Sequence, residues 1–189
     1  MSNIDDILSY NKQFVGSLEY EKYSTSKFPN KRMVIVTCMD TRLTELLPKA
    51  MNLKNGDAKI IKNAGAIVTQ PFGNIMRSIL VAIYELQADE VFVIGHHNCG
   101  MTGLNPEAVI HHMEDRGIST ETITTLKHSG LNLMRWLTGF DNVRDSVLNS
   151  VSIIRNHPLL PADILVHGLI IDPDTGQLEL VDGAAGRQA

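Results

Sequence analysis

Met33-Val34-Ile35-Val36-Thr37 running into Cys38-Met39-Asp40-Thr41-Arg42, and Val91-Phe92-Val93-Ile94 running into Gly95-His96-His97-Asn98-Cys99-Gly100, decide how this chain is read. Each begins as a short, continuous apolar run rich in β-branched residues, the pattern of a strand buried on both faces. Each ends in a polar cluster. If the two strands lie in one parallel sheet, both clusters emerge at the carboxyl edge, where open α/β sheets place their ligands.

Outward from these runs, strand, loop and helix alternate. Leu43 to Met51 reads as a short helix and Ala58-Lys59-Ile60-Ile61-Lys62 as a second strand. Gly65, just beyond that strand, suits backbone that passes close to a ligand or takes an unusual φ. Ile75, Ile79, Leu80, Ile83 and Leu86 recur at helical spacing, which predicts a core-facing helix over about 72–87. Asn105-Pro106-Glu107 has the form of a cap followed by proline in the first turn, and Gly117 a stop. In 118–140, Leu131, Leu133, Met134, Trp136 and Leu137 suggest a short apolar helix inserted above the sheet. Asp141 is the expected cap of the next helix, whose stripe is Val143, Val147, Val151 and Ile154 and which Pro158 ends. Residues 164–171 and 177–181 flank Asp172-Pro173-Asp174-Thr175-Gly176 as a terminal hairpin. Ahead of all this, Ile4, Ile7, Leu8, Phe14, Leu18 and Tyr23 predict one or two amphipathic helices. They lie on a neighbouring subunit or on their own domain.

The expectation is therefore an α/β fold: a mostly parallel central β-sheet flanked by helices, an N-terminal helical arm, and a C-terminal β-hairpin at the sheet edge. Arm and linker occupy 1–31 and a single α/β domain 32–189. A chain of 189 residues suits one such core. The formal charge of −4, without a basic run, argues against nucleic acid. No apolar stretch nears the roughly 20 residues that span a bilayer. The acidic start is unlike a signal peptide, so a cytoplasmic location is expected.

Chemistry concentrates in the two polar clusters. Both cysteines of the chain fall there, one in His-x-x-Cys spacing. Thiolate and imidazole are zinc ligands, and three of them leave a fourth position open. Cys38, His96 and Cys99 are the candidate metal ligands, for one Zn2+ per chain. His97 is the nearest rival to His96, whereas His111, His112, His128, His157 and His167 read as ordinary histidines. Taken singly, a buried cysteine is ordinarily a small hydrophobe. It is the convergence of both at two strand ends that favours a metal. Asp40 and Arg42 are the candidate catalytic pair. Free of Arg42, Asp40 can fill the fourth metal position and close the site. Paired with Arg42, it can accept a hydrogen bond from a reacting oxygen instead.

With these residues the chain resembles the β-class carbonic anhydrases, whose pattern is Cys-x-Asp-x-Arg followed by His-x-x-Cys. The likeness runs on through Lys62-Asn63-Ala64-Gly65, from Asn142-Val143-Arg144 to Pro158, and through His167-Gly168-Leu169 with its hairpin, over roughly 32–182. The resemblance implies zinc-dependent, reversible hydration of CO2 to bicarbonate and a proton. It implies Cys38, His96 and Cys99 on zinc with Asp40 and Arg42 as the dyad, and a homodimer or a larger assembly of dimers with the arm at the subunit contact. Relatives with the same constellation that hydrolyse CS2 or COS keep that alternative open. So do a thiol redox sensor using Cys38 and Cys99 and a catalytically silent zinc protein.

Overall fold

The computed structural model describes residues 2–183; Met1 and the expected domain end at 184–189 lie outside the described residues. Five strands form one sheet: β1 (Met33–Cys38), β2 (Ala58–Asn63), β3 (Glu90–His96), β4 (Leu165–Ile171) and β5 (Leu178–Asp182), in the order β2-β1-β3-β4-β5. The first three pairings are parallel, and only β4 with β5 is antiparallel, with an irregularity between Gly168 and Leu169. The expected α/β architecture is the one observed. After β1 the chain moves to one side for β2, then crosses to the other for β3. The order reverses between β1 and β3, and a crevice opens at such a reversal.

Burial explains the apolar runs. In β1 every residue from Val34 to Cys38 is buried, because helices cover both faces. On one face Val34, Val36, Val91, Val93 and Val166 pack against α3 (Asn74–Tyr84) and α7 (Val143–Arg155), which contribute Met76, Ile79, Val147, Val151 and Ile154. On the other, Ile35, Ile94 and Ile171 pack with Leu43 and Leu47 of α2 (Leu43–Ala50). Cys38 and Cys99 belong to this second cluster, so the sulfurs sit at the end of a core and not on a surface loop.

Three local expectations change. α3 is shorter than its apolar repeat, because Gly73 caps it and Gln87 adopts φ 62° soon after its end. Asn142, not Asp141, caps α7: its side chain accepts from Asp145 N. Segment 118–140 holds two helices where one was expected, α5 (Thr120–His128) and α6 (Leu133–Leu137), after α4 (Pro106–Asp115). α6 packs on α4, and the segment closes on itself where Thr102 bridges Phe140 and Phe140 N donates to Met101 O. At the other end of the chain, α1 (Asn3–Gly16) and a 3-10 turn at Glu19–Tyr23 bury no residue. No described helix is long and apolar enough to cross a membrane.

Candidate metal centre

β1 and β3 are neighbours in register, Thr37 opposite Ile94, so their carboxyl ends deliver Cys38 and His96 side by side. Cys99 follows through a turn at His97 and Asn98, with Asn98 in the left-handed region at φ 53°. Beyond this turn α4 begins only at Pro106. His97 N donates to Ile171 O and Thr102 N to Cys99 O, which pin the turn to β4 and to itself.

The ligand atoms of Cys38, His96 and Cys99 all lie within 4.8 Å of one another, and the three residues are buried. The sulfurs are 3.9 Å apart. A tetrahedral zinc about 2.3 Å from each sulfur would separate them by about 3.8 Å. The His96 ring completes the fit. Its Nδ1 lies 2.8 Å from His97 O, a contact only an N–H can make favourably, which leaves the lone pair on Nε2. That Nε2 is buried and has no hydrogen-bond partner. Facing two sulfurs, that nitrogen is placed to ligate a metal.

The two thiols differ. Burial pushes Cys38 up, but attraction to the adjacent His96 ring and N–H donation from Gly65 and Asp40 outweigh it and lower it to about 7. Gly65 N is 3.4 Å from Cys38 Sγ. Gly65 takes φ 77°, and a Cβ there would stand 2.9–3.0 Å from Phe140, Ile67 and Met101, so only glycine brings this N–H in cleanly. Cys99 is pushed up to about 11, first by burial and then by the charge of Cys38 against a single opposing N–H at Met101. For His96, burial acts downward and the neighbouring Cys38 and His97 carbonyl outweigh it, giving a net upward shift.

Beside the donors, Asp40 and Arg42 form a two-pronged pair: Nε donates to Oδ1 at 3.0 Å and Nη2 to Oδ2 at 2.9 Å. Arg42 N also donates to Asp40 Oδ1. These bonds hold the Asp40 carboxyl at about 2, against a smaller opposing effect of burial, and raise Arg42. Asp40 Oδ2 stands 3.7 Å from His96 Nε2. All five residues singled out from the sequence therefore meet at one edge.

Two contacts were not foreseen. Arg42 Nη2 donates to Asn98 O at 3.3 Å, tying the first strand end to the second. Its Nη1 lies 4.0 Å from Asp174 in the β4–β5 turn. Asp172 shapes that turn by accepting from Asp174 N and Thr175 N. The signal for it was present in Asp172-Pro173-Asp174-Thr175-Gly176, since a strand paired beside β3 must turn at the same edge.

The family model described as carbonic anhydrase matches residues 33–178. A Bacillus subtilis (strain 168) protein provisionally named carbonic anhydrase YvdA is 59% identical over 181 residues, covering 96% of this chain and 92% of that one. A carbon disulfide hydrolase of Acidithiobacillus thiooxidans is 27% identical over 159 residues, covering 79% of this chain and 76% of its own length. Among solved structures, β-carbonic anhydrase isoform I of Trichomonas vaginalis superposes with a TM-score of 0.87 at 37% identity, covering 98% of this chain and 100% of that one. The reversed sheet, the sulfur-imidazole cluster at its crevice and these likenesses converge: the chain belongs to the β-carbonic anhydrase family.

Proposed function

We propose that the chain hydrates CO2 reversibly to bicarbonate and a proton, with one Zn2+ held by Cys38, His96 and Cys99. The observation that carries this reading is the two-pronged Asp40–Arg42 pair, which occupies the carboxylate with a guanidinium and keeps it from serving as a fourth donor. Three donors with the fourth position left to a small molecule suit catalysis, whereas a closed set of four suits a structural role. Zinc, when bound, supplies the Lewis acidity that lets water give up a proton near neutral pH.

The chain's own residues do the rest. Asp40, ionised at any working pH because Arg42 holds it near 2, is an acceptor and never a proton donor. Its Oδ2, close to His96 Nε2, accepts the hydrogen of the attacking oxygen and turns a lone pair toward the carbon of CO2. Arg42 fixes that orientation from two sides, through Asp40 and through Asn98 O. His96 keeps its Nε2 aimed at the cluster because His97 O holds the opposite ring nitrogen.

Two wider proposals accompany this one. The arm leaves Ile4, Ile7, Leu8, Val15 and Leu18 exposed at helical spacing, which supports a homodimer or tetramer with a second copy against that stripe. Two free thiols 3.9 Å apart stay reduced in a cytoplasmic setting. Carbon disulfide hydrolysis is the second reading, supported by the relative of that name.

Stopped-flow CO2 hydration between about pH 6.5 and 9, with zinc quantified in the same sample, tests the proposal. About one zinc per chain and activity rising with pH are expected. Zinc without CO2 hydration, but with sulfide release from CS2, replaces the first reading by the second. Zinc with neither activity leaves a silent metal protein. Absence of zinc from reduced protein favours the redox reading of Cys38 and Cys99.

A further inference from the structure

Between the 118–140 segment and the β2–α3 connection runs a cleft of about 690 Å³. One wall carries Gln70 and Asn74, and the other Arg135 and Trp136 of α6. Two further lining residues adjoin the donors: Asn63 stands opposite Cys38 in the β1–β2 ladder, and Met101 follows Cys99 by two positions. The cleft therefore leads from the surface to the immediate neighbours of the cluster.

Its electrostatics are one-sided. The chain as a whole is acidic, yet no described residue lining this cleft is a carboxylate, and Arg135 is its only charged group. Among the described residues the Arg135 guanidinium has no ion pair or hydrogen bond; only its backbone N is engaged, with Asn132 Oδ1. α3 opens into the same cleft through Gly73, which offers no side-chain cap, so the helix presents its first backbone N–H groups there. Asn63 adds an acceptor. Its Nδ2 donates to Ile67 O at 2.7 Å, while its buried Oδ1 has no partner. The lining thus offers donors and positive charge for an anion, together with one acceptor for a hydroxyl.

We infer that this cleft binds a small oxyanion carrying a hydroxyl, and that Arg135 captures bicarbonate there as it leaves or approaches the metal centre. The naming of bicarbonate rests on the proposed function; the oxyanion site rests on the cleft alone. A planar guanidinium meets a carbonate-like ion through two parallel N–H donors, which a lysine cannot reproduce. Arg135 touches the ion at the mouth and not at the reacting atoms, so it sets the concentration of substrate and leaves the chemical step unchanged.

Trp136, the only tryptophan of the chain, lines the same cleft and serves as a reporter. Holoenzyme is titrated with bicarbonate at about pH 8, with chloride keeping ionic strength constant, while Trp136 emission is followed. A saturable change is expected, with half-saturation raised about tenfold in Arg135→Gln and partly restored in Arg135→Lys. In parallel, with zinc content unchanged, Arg135→Gln should lower kcat/KM for bicarbonate dehydration and for CO2 hydration by the same factor, as the fixed overall equilibrium requires. Emission that does not saturate, or saturates identically in Arg135→Gln, overturns the site. A chain that hydrates no CO2 yet still titrates through Arg135 overturns the proposed function and leaves the oxyanion site standing.

Discussion

The two strand ends supply one sulfur each, but they prepare it differently. At the end of β1, Cys38 receives a backbone N–H from Gly65, lies beside the His96 ring and is lowered to about 7. Past the end of β3, Cys99 has one N–H to set against its burial and is pushed up to about 11. One thiolate is therefore prepared by the fold, and the other must be drawn out by a cation. The difference follows from where the chain goes next. After β1 it returns through β2 into the Asn63–Gly65 loop, which folds back over Cys38. After β3 it leaves for α4 through a segment that pairs mainly with itself and with Phe140.

Removing a donor breaks the comparison most completely. Cys99→Ser or Cys38→Ser should lower zinc to below about 0.1 per chain and take CO2 hydration to background, read by metal analysis and stopped flow. Cys38→Ser retaining full zinc would show that β1 does not supply a ligand. Asp40→Asn comes next. It removes the charge from the dyad without touching a donor, so zinc should persist while kcat falls about 10–100-fold. Near-normal turnover by that variant would remove Asp40 from the mechanism.

How much of this was visible beforehand depends on which interactions set each feature. β1 and β3 were legible because burial on both faces forces continuous apolar residues. Cys38, Asp40, Arg42, His96 and Cys99 were legible because a strand end followed by a turn fixes positions within a few residues. Contacts made across the sheet were not. Arg42 reaching Asn98 O and the Gly65 N–H on Cys38 each depend on strand order, which no local pattern records. The 118–140 segment was obscure for another reason. α5 buries only Ile123 and α6 only Leu133, so neither leaves a strong stripe.

A smaller effect probes the support beneath the second strand end. Gly95 precedes His96, and a Cβ there would stand 2.6 Å from Val143 Cγ2 and 2.8 Å from Val147 Cγ2 of α7. Gly95→Ala should therefore push α7 from the sheet and cost about 1–3 kcal/mol, lowering Tm by several degrees. An unchanged Tm would mean that α7 yields freely at this point. The comparable change at β1, Thr37→Val, instead loses the hydroxyl that donates to Ile94 O inside the sheet, at about 1 kcal/mol.

The smallest signal tests the thiols themselves. In zinc-free protein followed by its thiolate ultraviolet band, one thiolate per chain should form near pH 7 and the second only above about pH 10. The signs give a stability profile as well. Cys38, depressed below its ordinary value of 9.0, contributes stability above that value and loses it as pH falls through about 7. Cys99, raised above the same value, favours the protonated fold and opposes the folded state as pH rises from about 9 toward 11. Their joint contribution to the metal-free fold therefore peaks near pH 9, where Cys38 is ionised and Cys99 is not. Two thiolates forming together near pH 9 would mean that the strand ends are equivalent, and that the Gly65 N–H and the His96 ring do not distinguish them.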